Sequence, residues 1–163
     1  MTRNEILMLS PEELGKIVEF DFFKRSGNGG QKRNKTSSAV RVRLYEFDIS
    51  AEDCSERSQK INRDRALQKL RYKLAVSVRE DFSGNIIDAV APSNEKYPLF
   101  LAQLLDLLES VDYSFRSCGE ALGLSSSQVE KMLRKDSSLW QFVQSRIELR
   151  KRQNDSCGSE KNA

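Results

Sequence analysis

An α+β fold is predicted for this chain of 163 residues, with a short mixed sheet packed on one long helix and a small all-helical module after it. Three observations predict it. Residues 17–22 and 39–45 alternate apolar with charged side chains, the period of a half-buried strand. Residues 57–74 instead space Ile61, Leu67, Leu70 and Leu74 close to a 3.6-residue period, with Arg57, Lys60, Arg63, Lys69, Arg71 and Lys73 around the rest, as in an amphipathic helix. Beyond Pro98, Leu101, Leu104, Leu105 and Leu108 give a second helical apolar face.

Each element has a local justification. Ser10, Pro11 and Glu13 form a helix start, an N-cap and capping box with proline at the first helical position, for a short helix ending near Lys16. Residues 17–22 then read as a strand, and in residues 39–45 Val40, Val42 and Leu44 take one face and Arg41 and Arg43 the other. A hairpin partner is expected over 47–53, before the long helix. Two turn signals, Ser83-Gly84-Asn85 and Ala91-Pro92-Ser93-Asn94, mark a connection. From Phe115 to Lys135 the pattern is helix, turn, helix: Gly123 supplies a left-handed turn residue and Ser125 or Ser126 caps the next helix. That helix, with Ser126, Ser127, Gln128, Glu130, Lys131 and Arg134, carries few cations for groove binding, so a structural packing role is expected. The expected divisions are a first domain over 1–80, a linker over 81–95, a helical module resembling a helix-turn-helix over 96–152 and a disordered tail over 153–163.

Composition narrows the function. With 38% hydrophobic and 31% charged residues the chain reads as soluble and globular. No segment has the length and continuity of a membrane span, because the apolar stretch from Tyr97 to Leu108 is short and broken by Gln103 and Asp106. Neither a metal site nor a disulfide scaffold is expected: there is no histidine, and Cys54, Cys118 and Cys157 are odd in number and far apart. A cytoplasmic protein is expected, monomeric in the absence of any heptad pattern, with no membrane partner and no cofactor. Net charge is only +3, yet from Lys24 to Arg43 there are seven Lys or Arg residues and no acid. A local cationic field of this kind draws in a polyanion from one direction.

Within that field lies Arg25-Ser26-Gly27-Asn28-Gly29-Gly30-Gln31-Lys32. Its spacing fails the phosphate-binding Gly-x4-Gly-Lys-Ser/Thr pattern, and no βαβ unit follows to make it a dinucleotide loop. Residues 25–42 resemble the Gly-Gly-Gln segment of bacterial class I peptide chain release factors and their short relatives. A second segment, Glu56-Arg57-Ser58-Gln59-Lys60-Ile61-Asn62-Arg63 followed by Ala66-Leu67, resembles the family's adjoining helix at the fitting separation. The resemblance covers roughly residues 17–75 and implies that the first domain is a small GGQ-type domain. One departure is local: His or Asn and then an apolar residue commonly follow the glutamine, where this chain has Lys32 and Arg33.

The resemblance implies ribosome-dependent hydrolysis of the peptidyl-tRNA ester in the peptidyl transferase centre, with Gly29, Gly30 and Gln31 as the catalytic residues. Ester hydrolysis needs a positioned water, a stabilised oxyanion and exclusion of stray solvent. Glycines reach backbone conformations closed to other residues, and Gln31 offers a backbone N–H and a side-chain amide. The implied partners are the ribosome, through large-subunit rRNA, and peptidyl-tRNA. Arg25, Lys32, Arg33, Lys35, Arg41 and Arg43 are the expected phosphate contacts, with Arg57, Lys60 and Arg63 as a second set on the helix. Gln31 is also a candidate for side-chain methylation by a glutamine methyltransferase. At this length no space is expected for codon-reading domains, so a codon-independent enzyme that rescues stalled ribosomes is the leading expectation. The alternative is a non-catalytic RNA- or ribosome-binding protein that keeps the fold. The basic stretch Arg146, Arg150, Lys151 and Arg152 fits two readings, an mRNA-channel probe of the kind some codon-independent relatives carry, or a solvated helix end favoured by the helix dipole.

Overall fold

The computed structural model describes residues 1–24 and 38–159, with side chains through residue 153. The chain forms two compact units, one from residues 1–80 and 87–102, the other from residues 81–86 and those from Gln103 on. The segment expected as linker, 81–95, contains no helix or strand; its first part groups with the second unit and its remainder with the first.

The first unit opens with two short helices, α1 (Arg3–Met8) and α2 (Pro11–Ile17). Both carry a full capping box, Thr2 with Glu5 and Ser10 with Glu13. In the second, the Ser10 hydroxyl accepts from the Glu13 N–H at 3.2 Å and the Glu13 carboxylate accepts from the Ser10 N–H at 2.8 Å, so two otherwise orphaned donors are satisfied. Three strands follow, β1 (Glu19–Phe23), β2 (Ala39–Leu44) and β3 (Ile49–Asp53), in the order β1-β2-β3. The α+β class is as expected, but both pairings are antiparallel rather than mixed. Between β2 and β3 the chain turns within a few residues, and only a hairpin fits that length. A 3₁₀ turn, Tyr45–Phe47, and left-handed Asp48 (φ 50°) make this corner, which is why β3 begins at Ile49 rather than at Phe47.

Helix α3 (Gln59–Ser77), capped by Ser58, lies on one face of this sheet. Val40, Val42, Leu44 and Ile49 meet Ala66, Leu67, Leu70 and Leu74, with Ile6, Leu7 and Leu14 from α1 and α2 closing the core. Ile61, expected on the packed face, is 45% exposed. The buried stripe is Asn62, Ala66, Leu70 and Leu74, each four residues on, flanked by Leu67 and Arg71; Ile61 falls about 100° away from it.

Helix α4 (Tyr97–Ser110) gives Leu99 and Ala102 to the first core. In the second unit, Leu104, Leu105 and Leu108 of α4 are buried, as are Cys118 of α5 (Phe115–Leu122), Val129 and Leu133 of α6 (Ser126–Leu133), and Leu139 and Val143 of α7 (Ser137–Ser159). The turn between α5 and α6 matches its expected chemistry: Gly123 has φ 66°, and the Ser125 cap and Gln128 side chain complete a capping box. Helix α7 includes residues 153–159 of the segment expected as a disordered tail; residues 160–163 lie outside the described part of the chain.

Candidate functional site

The Gly-Gly-Gln segment departs from and returns to adjacent strands. Phe23 at the end of β1 pairs with Ala39 at the start of β2. Arg25, Gly29, Gly30, Gln31, Lys32, Arg33 and Lys35 lie outside the described residues, so the site is built here from what anchors its two ends.

Asn62 is the main anchor. Fully buried in α3, it donates through Nδ2 to the Ser38 carbonyl at 2.7 Å and to the Glu56 carbonyl at 2.8 Å, while its Oδ1 accepts from the Glu56 N–H at 2.9 Å. One amide thus ties the start of β2 and the β3–α3 connection to the helix, and every polar atom involved is satisfied. Asp53 fixes the same connection from the sheet side. Its carboxylate accepts from the Ser55 N–H at 2.9 Å and the Ser55 hydroxyl at 2.6 Å, and lies 2.6 Å from the Lys69 ammonium. Burial alone would raise the Asp53 carboxyl; the hydrogen bonds and charge from Lys69 and Ser55 outweigh it and hold the group down to about 2. Arg65 adds an ion pair to Glu56 at 2.9 Å and a hydrogen bond to the Ser55 hydroxyl.

The expected phosphate contacts divide into two groups. Arg43, Arg57 and Lys60 are exposed. Arg41 is engaged within the sheet: it sits between Glu52 at 3.2 Å and Asp21 at 3.8 Å, its register partners on either side, and lies over the Phe23 ring at 5.1 Å. Arg63 is packed over Phe20 at 4.5 Å, against Gly15 of α2, where an added Cβ would lie 2.9 Å from the guanidinium. Phe20 stacks on Phe22, which is 44% exposed. Lys60 and Arg63 line one wall of a cleft of about 950 Å³ together with Tyr72, Tyr97 and buried Arg71. Arg71 donates to the Leu9 carbonyl and faces Glu95 at 3.8 Å, and its pKa is lowered by burial and partly restored by Glu95.

Elsewhere, Arg134 of the helix-turn-helix segment is paired with Glu130 at 2.7 Å and stacked on Trp140 at 4.1 Å, and Arg150 is bonded to Asp112. Among the described residues no three His, Cys, Asp or Glu side chains stand together as a metal site, and no helix is long and apolar enough to cross a membrane.

Residues 12–86, which contain β1–β3, α3 and both anchors, match the family model described as the RF-1 domain. Over this stretch the chain is class I release factor-like in sequence. It is 42% identical over 62 residues to peptide chain release factor 1 of Xylella fastidiosa, covering 38% of this chain and 17% of that protein. It is 40% identical over 68 residues to peptide chain release factor 2 of Borreliella burgdorferi, covering 42% of this chain and 18% of that protein. The chain therefore spans less than a fifth of the length of these curated relatives.

Proposed function

We propose that this protein hydrolyses the peptidyl-tRNA ester in the peptidyl transferase centre of the ribosome, releasing peptide without reading a codon and so rescuing stalled ribosomes. The observation that carries the reading is Gly29-Gly30-Gln31, set among cations, inside a segment that matches the RF-1 domain. Gln31 would present its backbone N–H to the developing oxyanion and use its side-chain amide to position water and exclude other nucleophiles. Gly29 and Gly30 would supply the backbone freedom the approach requires.

This division of labour suits the chain's chemistry. It has no histidine to act as general base, and Cys118, fully buried, has its thiol pushed up to about 11 by burial. The ribosome would complete the site. Anchoring by Asn62 and Asp53 supports the proposal, because a catalytic segment carried into an RNA cavity needs a firmly held base. The family match stops at residue 86, and codon reading is no part of the reaction proposed.

The test is hydrolysis of labelled peptidyl-tRNA, free in solution and bound to ribosomes. Release with ribosomes and none on the free substrate is expected. Gln31→Ala keeps the backbone N–H but removes the side-chain amide that would position water, and should lower the ribosomal rate by about 10²-fold. Equal rates on free and bound substrate would overturn the proposal, and binding without release would leave a non-catalytic ribosome-binding protein.

A further inference from the structure

Among the described residues strand β3 is the last strand of the sheet on its side, so alternate carbonyls point away from β2 with no described strand to receive them. Two lysines of α3 reach around to meet them. Lys73 donates to the Ser50 carbonyl at 3.0 Å and Lys69 to the Glu52 carbonyl at 3.2 Å. The match is geometric: four residues of helix rise about 6 Å, and two residues of strand advance about 7 Å. The edge is thereby closed to strand addition, and a row of ammonium groups runs along it.

Beside this row, Arg41 and Arg43 project from the outer face of β2. Together with Lys69 and Lys73 they line an open groove of about 520 Å³ over β3. One carboxylate, Glu52, shares the lining, and Arg41 already holds it at 3.2 Å; Asp53 is buried beneath Lys69. The groove therefore carries a clear excess of positive charge. Its other lining residues, Ser50 and Ala51, are too small to form an anchor pocket for an apolar peptide side chain. That chemistry fits a phosphodiester backbone read for charge and not for base sequence.

We infer that the β3-edge groove is an RNA-backbone contact of this domain, in which Arg43 and Lys73 bind phosphate while Lys69 acts as a positioning residue. The inference rests on the ribosomal reading above and adds Lys73 to the expected phosphate contacts. Lys69 differs from Lys73 because its ammonium is also paired with Asp53.

The experiment is a salt titration of the binding of the full chain to purified large ribosomal subunits, for the native protein and the variants Lys73→Gln, Arg43→Gln, Glu52→Gln and, as control, Lys131→Gln. Glutamine at 73 keeps an N–H donor while removing the charge. Each of Lys73→Gln and Arg43→Gln should lower the slope of log affinity against log salt by roughly 0.7–0.9, and weaken binding about fivefold at 0.15 M salt, as expected for one phosphate contact. Glu52→Gln should tighten binding, and Lys131→Gln should leave the slope unchanged. Melting curves identify any variant that fails to fold, and Glu52→Gln then decides the matter alone. Steep salt dependence in the native chain with unchanged slopes in the variants overturns the groove and leaves the ribosomal reading standing. Failure of the native chain to bind ribosomes at all overturns both.

Discussion

Truncating Asn62 should cost far more than the loss of a small polar side chain suggests. Asn62→Ala removes two donated hydrogen bonds and one accepted bond, at 2.7, 2.8 and 2.9 Å, from a residue with no solvent exposure. At about 1 kcal/mol for each net hydrogen bond, with more where a buried partner is left without a replacement, the expected loss is about 3–4 kcal/mol. For a unit of this size that lowers the melting temperature by roughly 12–25 °C. The assay is urea and thermal unfolding followed by circular dichroism. Asn62→Asp sharpens it, because aspartate still accepts from the Glu56 N–H but sets a carboxylate against the Ser38 and Glu56 carbonyls, so it should be at least as damaging as alanine. A loss below about 0.5 kcal/mol for Asn62→Ala, or a well-tolerated Asn62→Asp, would refute the idea that this amide holds the base of the Gly-Gly-Gln segment.

Three further outcomes follow from the same structure. In Gly119→Ala the new Cβ would lie 2.5 Å from the Leu124 carbonyl oxygen, so despite alanine's better helix propensity the variant should lose about 1–3 kcal/mol in unfolding measurements; equal or greater stability would show that the α5–α6 turn adapts freely. Asp53 titrates near 2 when folded and near 3.8 otherwise, so the stability it contributes is present above pH 4 and lost as pH falls through 2. Between pH 5 and 2 the native protein should therefore lose about 2 kcal/mol more than Asp53→Asn, and parallel pH curves would contradict the assignment. Cys118, buried and with its thiol held near 11, should resist iodoacetamide at pH 8 until the second unit opens, as read by site-resolved mass spectrometry; modification at the rate of the urea-unfolded chain would contradict its burial.

Features that depend on residues three or four apart were legible in the sequence. The Ser10–Glu13 box, the Gly123 turn and the Ser125 cap are local hydrogen-bond chemistry, and each forms as expected. Helix α1 has the same signal in Thr2 and Glu5, but six residues are too few for an apolar period to reveal, and the helix is held by distant bonds such as Arg3 to the Val78 carbonyl at 2.8 Å. Ile61 is exposed although its apolar identity points inward, because the buried stripe of α3 includes Asn62 and Arg71, whose partners are carbonyls elsewhere in the chain. Sheet register explains Arg41: only pairing with Asp21 and Glu52 engages a residue that looks like a phosphate ligand in the sequence. The Gly29-Gly30-Gln31 triplet, catalytic in the proposed function, is legible purely as a motif. The lysines along β3 are not, since only the strand order makes β3 an edge and brings Lys73 to it.

The most direct test of the proposed activity is peptide release from ribosomes stalled on an mRNA lacking a stop codon, comparing the native chain with Gln31→Ala and Gly30→Ala and repeating the assay on a stop-codon template. Release of comparable rate on both templates, lost in both variants, is the predicted result. No release from the non-stop complex by a native chain that demonstrably binds it, or release confined to the stop-codon template, would contradict the account.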